Sequence, residues 1–479
     1  MGGIRAPKPP RPVILVVCHT LSGHLQPLIR IAQGLRTRGW DVAFLGPTAH
    51  RQRIASSGAE FFALQGVADI NDQEYYQNAS QDYKTLPWAA RGKSDIMTQC
   101  VAPLPEQWEN FKAVLAALHE RDPARKVLVV AEAFFFGIMP LKLGASLPAG
   151  VRRPKSVCVS ITVPAIRGAD LPPFGYALPF DPSEAGRARN QALWARWTKS
   201  TANMSELLDE ALLAAGARAG LAEPMLGGAN YRCHDAIYQV GVSGFEYPRS
   251  DWPQGFKFVG LVQGTPKGTV LPDPAFDWWN ELKANSALAA DNPQRKKVVV
   301  VAQGTVEVDP QDLIVPTIRA FDGREEDVIV VAILGWKDAT LTAADFATAS
   351  GRVPVNARIA DYLNYDAVLE HADVWVHNAG FGAVNHGIAH GVPMVVAGEG
   401  MDKPENARRV AWAGIGVALE TAKPTWLQVR DAIETVLGGD TFKQRIEVLR
   451  KQSEELNPFD IISEDLMKMA GSDYSRRHS

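Results

Sequence analysis

Two almost wholly apolar runs, Pro12–Cys18 (PVILVVC) and Lys297–Ala302 (KVVVVA), restrict the fold more than anything else in the chain. A strand without polar alternation is covered on both faces, as inner strands of parallel sheets are. After the first run come His19-Thr20-Leu21-Ser22-Gly23-His24, and Pro27 then opens a helical pattern through Leu28, Ile29, Ala32 and Leu35 that stops at Gly39. Asp41–Leu45, Arg51–Ser57 and Glu60–Leu64 continue as strand, helix and strand. The second run is followed by strand candidates at Val328–Leu334, Arg358–Ile359, Val374–Val376 and Met394–Ala397. Both halves therefore predict an α/β, doubly wound parallel sheet. A length of 479 residues also exceeds the roughly 250–300 at which single cores stop growing. Proline and glycine concentrate between about Tyr247 and Lys297, and the interdomain linker is placed there.

Composition narrows the function. Fifty Lys and Arg against 53 Asp and Glu leave a net charge of −3, with no long block of either sign, so neither a nucleic-acid nor an acidic-lipid partner is indicated. A content of 46% hydrophobic and 22% charged residues disfavours disordered and coiled-coil readings. Cys18, Cys100, Cys158 and Cys233 lack CxxC spacing and read as free thiols in a reducing compartment. Residues 1–12 read as a short disordered lead without the apolar core of a secretory signal. Val127–Ala145 carries Glu132, Pro140 and Lys142 and divides better into a strand and a helix than into a membrane span. A cytoplasmic protein is expected. Residues 66–120 are less regular, and Ser160–Phe180 sets Pro164, Pro172, Pro173 and Pro179 among Phe174, Tyr176 and Phe180, loop chemistry with apolar surface.

The most informative stretch is Ala372–Leu419. Its strand ends in Asn378-Ala379-Gly380-Phe381-Gly382-Ala383, small residues that open a helix. The amides of a helix N-terminus lack partners and carry about half a positive charge, which suits a phosphate. The spacing is not GxGxxG, so a dinucleotide-binding dehydrogenase is disfavoured. His386 and His390 have the i, i+4 spacing of zinc-binding helices, yet residue 387 is Gly where metal-assisted hydrolysis needs Glu, and the sequence places no third ligand. No metal is expected.

Together these residues resemble the UDP-glycosyltransferase superfamily, particularly its fungal-type, non-membrane branch. The resemblance is carried by Gly23-His24-Leu25-Gln26-Pro27 after the first strand, Gly304-Thr305 after KVVVVAQ and Tyr362-Leu363-Asn364-Tyr365. Further along it rests on Asn378-Ala379-Gly380, Gly391-Val392-Pro393, Asp402-Lys403 and Asn406-Ala407-Arg408. It implies a GT-B fold: an acceptor-binding domain over 13–246, a linker over 247–296, a nucleotide-sugar domain over 297–440, and helices over 441–479 that return to the first domain. It implies inverting transfer of a sugar, most simply glucose, from a UDP-sugar to a hydroxyl of an apolar small molecule, by a monomer or weak homodimer.

An acceptor hydroxyl needs a base, and imidazole titrates near neutrality. The resemblance makes His24 that base and Glu132, where Asp is more usual, its partner. It puts Tyr362 on the uracil, with the Leu363 backbone at the base edge, and Gly304, Thr305, Asn378, Gly380, Gly382 and Ala383 around the diphosphate. His386 falls at the ribose and Asp402 and Lys403 at the sugar. Trp88, Phe174 and Tyr176 are expected to line the acceptor pocket. Asn378, His386 and Lys403 replace the usual His, Glu and Gln, so a catalytically silent UDP-sugar-binding subunit is the alternative.

Overall fold

Each apolar run forms a central strand. The computed structural model describes residues 11–264, 271, 273–304, 309–346 and 351–471. In the first half lie β1 (Val13–Val17), β2 (Asp41–Gly46), β3 (Glu60–Ala63), β4 (Val127–Glu132), β5 (Lys155–Ser160), β6 (Ala236–Val240) and β7 (Phe256–Gly260). They pair in parallel in the order β3-β2-β1-β4-β5-β6-β7. The second half holds β8 (Lys297–Ala302), β9 (Val328–Ile333), β10 (Ala357–Ala360), β11 (Val374–His377), β12 (Met394–Val396) and β13 (Gly416–Ala418). These too are parallel, in the order β10-β9-β8-β11-β12-β13.

The absence of alternation is explained by two-sided packing. Leu15 and Val17 enter one core cluster while Ile14 and Val16 enter another, and Val298 and Val300 divide from Val299 and Val301 in the same way. Each such side chain contributes about 1.5–3 kcal/mol on burial, so both faces of both sheets are firmly covered. In each sheet the strand order reverses beside its apolar strand, between β1 and β4 and between β8 and β11. A crevice opens at the carboxyl ends of the strands there.

The helices that position the site are α1 (Ser22–Thr37), α2 (Leu104–Arg121), α3 (Glu184–Ser200), α4 (Trp279–Ala287), α5 (Tyr365–Leu369), α6 (Phe381–His390), α7 (Lys403–Trp412), α8 (Thr441–Glu454) and α9 (Pro458–Ala470). Helix α1 ends as predicted: Gly39 takes φ +77°, and the bonds Gly39 N–H to Arg36 O and Trp40 N–H to Leu35 O complete a Schellman turn. Its start differs from the expectation. The helix begins at Ser22, before Pro27, because Asp72 Oδ2 accepts the Ser22 N–H at 2.7 Å.

Other expectations need correction. The span 247–296 is not all linker: β7 is the seventh strand of the first sheet, and α4 buries Trp279 and Leu282 in the second core. Residues 66–120 are largely helical and end in α2. Beyond the Ser160–Phe180 loop the chain forms α3, whose buried positions are Gly186, Asn190 and Trp194, a stripe at helical spacing but mostly without apolar residues to betray it. At the C-terminus α8 buries Ile446 and Leu449 in the second core, whereas α9 buries Ile462 and Leu466 in the first. The chain thus crosses between domains after β7 and again between α8 and α9. The crossings touch, since a Cβ on Gly260 would lie 2.8 Å from Leu456 Cβ. Among the described residues no helix is long and apolar enough to cross a membrane.

Candidate active site

The reversal in the first sheet puts the loop after β1 beside the end of β4. His24, in the first turn of α1, directs Nδ1 to within 3.1 Å of Oε1 of Glu132, the last residue of β4. The contact is of charge-pairing length but is not aligned as a hydrogen bond, and both atoms are buried. Glu132 is itself fully buried and its Oε2 accepts the Phe134 N–H at 3.0 Å. With Nδ1 enclosed and the side chain 19% exposed, Nε2 is the ring nitrogen left to the cleft. Burial alone would lower the imidazole pKa. The charge and side chain of Glu132, helped by Asp402 and Asp72, outweigh it and raise the pKa above the ordinary histidine value.

Sequence reasoning missed the supports of this pair. His19 lies 5.3 Å from the His24 ring between centroids, accepts the Leu21 N–H on Nδ1 and faces Cys100 Sγ with Nε2. Burial and the neighbouring His24 pull its pKa down to about 3, so it stays neutral. Asp72 holds the start of α1, and His50 Nε2 lies 3.5 Å from its Oδ1. No local pattern signals a helix cap supplied from fifty residues downstream.

The reversal in the second sheet joins the ends of β8 and β11. Asn378 donates through Nδ2 to the carbonyl of Gln303, which tethers the loop after β11 to the residue before Gly304. Helix α6 follows with Gly380 as its N-cap and no capping side chain. Gly380 and Ala383 are half-buried and Gly382 is exposed, so a ligand can reach the first turn. Close packing fixes the loop from below: a Cβ on Gly398 would stand 2.3 Å from the Asn378 carbonyl oxygen. His377 is turned away, with Nδ1 accepting the Ala379 N–H and Nε2 against Met394 Sδ. Thr305 lies outside the described residues.

Tyr362 stands 67% exposed at the end of β10, while Leu363 is buried beneath it. His386 and His390 both converge on Asp366, a third residue of ligand type that the sequence did not place. Asp402 occupies the N-cap position of α7 but makes no capping bond. Its Oδ2 instead accepts from Thr162 Oγ1 of the other domain at 3.3 Å and from Asn406 Nδ2 at 2.9 Å. Lys403 beside it is buried. The structure therefore brings Asp402 within electrostatic reach of His24 across the cleft.

The expected acceptor aromatics are less uniform. Phe174 packs against cores of both domains, Tyr176 meets Trp197 edge-on at 6.3 Å, and Trp88 lies under the Arg91 guanidinium at 4.6 Å. Trp108 and Trp194 are core residues. A clasp unforeseen in the sequence fixes the Phe174 loop. Glu405 Oε1 in α7 accepts the Gly175 and Ala177 N–H groups at 3.0 and 2.8 Å. Arg409 joins Glu405 Oε2 at 2.9 Å to Glu246 Oε1 at 2.8 Å, all three residues being buried.

Known proteins share this organisation. A family model described as the C-terminal domain of erythromycin biosynthesis protein CIII-like proteins matches residues 336–466. UDP-glucosyltransferase 1 of Beauveria bassiana is 31% identical over 467 residues, 96% of each chain. UDP-glucosyltransferase A1 of Starmerella bombicola is 31% identical over 98% of this chain and 95% of its own. Among solved structures, the glycotransferase of kitacinnamycin aligns with a TM-score of 0.66 at 19% identity, over 96% of this chain and all 100% of that one. The calicheamicin glycosyltransferase aligns with a TM-score of 0.64 at 15% identity, over 96% and 99%. The structural neighbours share the GT-B fold, two facing doubly wound domains. With relatives of this identity along nearly its whole length, the chain belongs to the UDP-glycosyltransferase superfamily and is a UDP-dependent glycosyltransferase.

Proposed function

We propose that the protein is an inverting glucosyltransferase that moves glucose from UDP-glucose to a hydroxyl of an apolar small molecule, with His24 as general base. The observation that carries this reading is the His24–Glu132 pair at the reversal of one sheet, with Asp402 of the other domain biasing its charge. Nε2 takes the acceptor proton as the acceptor oxygen attacks the anomeric carbon and the bond from that carbon to the diphosphate breaks. The new bond forms on the face opposite the leaving group, which inverts the centre. Charge gathering on the diphosphate is met by the first-turn amides of α6 with Gly304 and Asn378, donors already in place. Asp402 and Lys403 take the sugar hydroxyls. Tyr362 stacks on the uracil and the Leu363 backbone reads its edge. Phe174, Tyr176 and Trp88 belong to the acceptor side.

The direct test is incubation with UDP-glucose, UDP-N-acetylglucosamine and UDP-glucuronate against phenols, flavonoids and sterols, with products read by mass spectrometry. A hexose adduct is expected from UDP-glucose. UDP binding without product from any donor or acceptor would favour the silent subunit instead.

Glu132→Gln tests the pair through pH. A base must be unprotonated, so kcat/KM should fall on the acid side with a midpoint above the usual histidine value of about 6.5. Removing the Glu132 charge removes what raises that pKa, so the acid limb should move to lower pH while the plateau falls by about tenfold or more. An unmoved acid limb would detach Glu132 from the base. Tyr362→Ala should weaken UDP binding by about tenfold in calorimetry, as base–aromatic stacking contributes about 1–3 kcal/mol. An unchanged Kd would remove Tyr362 from the uracil site.

A further inference from the structure

Asp366 stands where three parts of the molecule meet. It lies in α5, directly after the Tyr362-Leu363 segment. Its Oδ1 is 2.7 Å from His386 Nδ1 and 3.1 Å from His390 Nε2, both on α6. Its Oδ2 accepts from Arg30 at 2.9 Å, a residue of α1 in the other domain that also donates to the Val262 and Gly264 carbonyls.

The ligand-type atoms of Asp366, His386 and His390 lie within 4.8 Å of one another, which raises the question of a metal. The geometry is that of hydrogen bonds. Tetrahedral zinc with bonds of about 2.0–2.1 Å holds its ligand atoms about 3.3 Å apart, and here they approach to 2.7 Å. The Arg30 guanidinium already supplies the positive charge on the second oxygen. Two histidines and an arginine thus donate to one buried carboxylate.

This bears on a difficulty at the ribose. A glutamate accepts from ribose hydroxyls through any of its lone pairs, but a neutral histidine accepts only through the nitrogen that lacks hydrogen. We propose that Asp366 is a positioning residue that holds the hydrogen of His386 on Nδ1 and so keeps Nε2 an acceptor for a ribose hydroxyl of the donor nucleotide. The inference rests on the reading of His386 as the ribose contact. The His386 side chain is 18% exposed, and with Nδ1 engaged Nε2 is the atom left to a ligand. Tyr365 meets the ring edge-on at 5.5 Å and limits its rotation. Charge states agree. Burial acts to raise the Asp366 pKa, but the bonds from His386, His390 and Arg30 hold it well below the carboxylate range. Burial lowers that of His386 more than Asp366 raises it, so the imidazole is neutral near pH 7.

In Asp366→Asn an amide replaces one carboxylate oxygen. With its oxygen kept by Arg30, the amide donates to Nδ1 and moves the histidine hydrogen to Nε2. The probes are UDP and 2′,3′-dideoxyuridine diphosphate, titrated calorimetrically into wild type, Asp366→Asn and Arg30→Met. Wild type should prefer UDP by about tenfold, the scale of one well-made hydrogen bond in a built site. In Asp366→Asn the preference should fall to within about twofold, with dideoxy-UDP affinity nearly unchanged. Arg30→Met breaks the interdomain ion pair but leaves the His386 bond, so it should keep the preference and separate tautomer control from loosening of the fold. Long-range proton–nitrogen spectra should show His386 Nε2 without hydrogen in wild type and with it in Asp366→Asn, its signals assigned by their loss in His386→Gln. An undiminished preference in Asp366→Asn, no preference in wild type, or stoichiometric metal in the purified protein would each overturn the proposal. Failure of wild type to bind either nucleotide would overturn the donor-site reading beneath it.

Discussion

Replacing His24 with alanine lowers kcat/KM by about 10²–10⁴-fold, the range general base catalysis commonly contributes, and leaves UDP affinity within about twofold. The asymmetry follows from placement: His24 stands on α1 of the first domain, whereas the proposed nucleotide contacts stand on the second. The helix start is held independently by Asp72, so the fold survives the change, although the buried Glu132 carboxylate loses its partner and some stability goes with it. Steady-state rates on a responsive acceptor and calorimetry with UDP measure the two quantities. A rate within tenfold of wild type would show that the acceptor loses its proton elsewhere. A loss carried by UDP affinity would place His24 with the donor.

Arg409→Met lowers stability by about 3–5 kcal/mol, the usual consequence of leaving buried charges without their partner. Two carboxylates are stranded, since Glu246 and Glu405 both bond to this guanidinium and all three are buried. The Arg409 guanidinium also lies 4.4 Å over the Tyr247 ring, so packing is lost with the charge. Urea unfolding followed by fluorescence reads the effect. Adding Glu405→Gln and Glu246→Gln should restore part of the stability, because the stranded charges go with them. A loss below about 1 kcal/mol, the size of an exposed ion pair, would mean that water reaches the network. The variant should also raise KM for the acceptor, since Glu405 no longer holds the Gly175 and Ala177 amides in one arrangement.

What could be read from the sequence was local or repetitive. Apolar runs buried on both faces announce themselves without partners, so the strands at Val13 and Lys297 were legible. The loops after the strands at Val13 and Val374 carried His24 and the small residues Asn378–Ala383. Strands β5, β6 and β7 were not legible, because KSVCVS, AIYQV and FKFVG mix polar with apolar residues and the last lies in a Pro- and Gly-rich stretch. The start of α1 and the turning of Asp402 away from a cap depend on Asp72 and Thr162, which reach them through the fold. Asp366 and Glu405 escaped notice for the same reason. Each is an ordinary acidic residue near a helix start until folding gives it partners in another domain.

The contact between the two interdomain crossings has a mechanical consequence. Two connections far apart would confine the domains to swinging about the line between them. Here Gly260 and Leu456 touch, which makes a nearly point-like pivot, and displacement grows with distance from it. Arg30, bonded to Val262 and Gly264 just past that pivot, has a short lever arm, so its contacts can persist through an opening that separates groups farther out along the cleft. A bulky residue at position 260 would shift the fulcrum and alter the amplitude of opening while leaving every proposed catalytic side chain chemically intact.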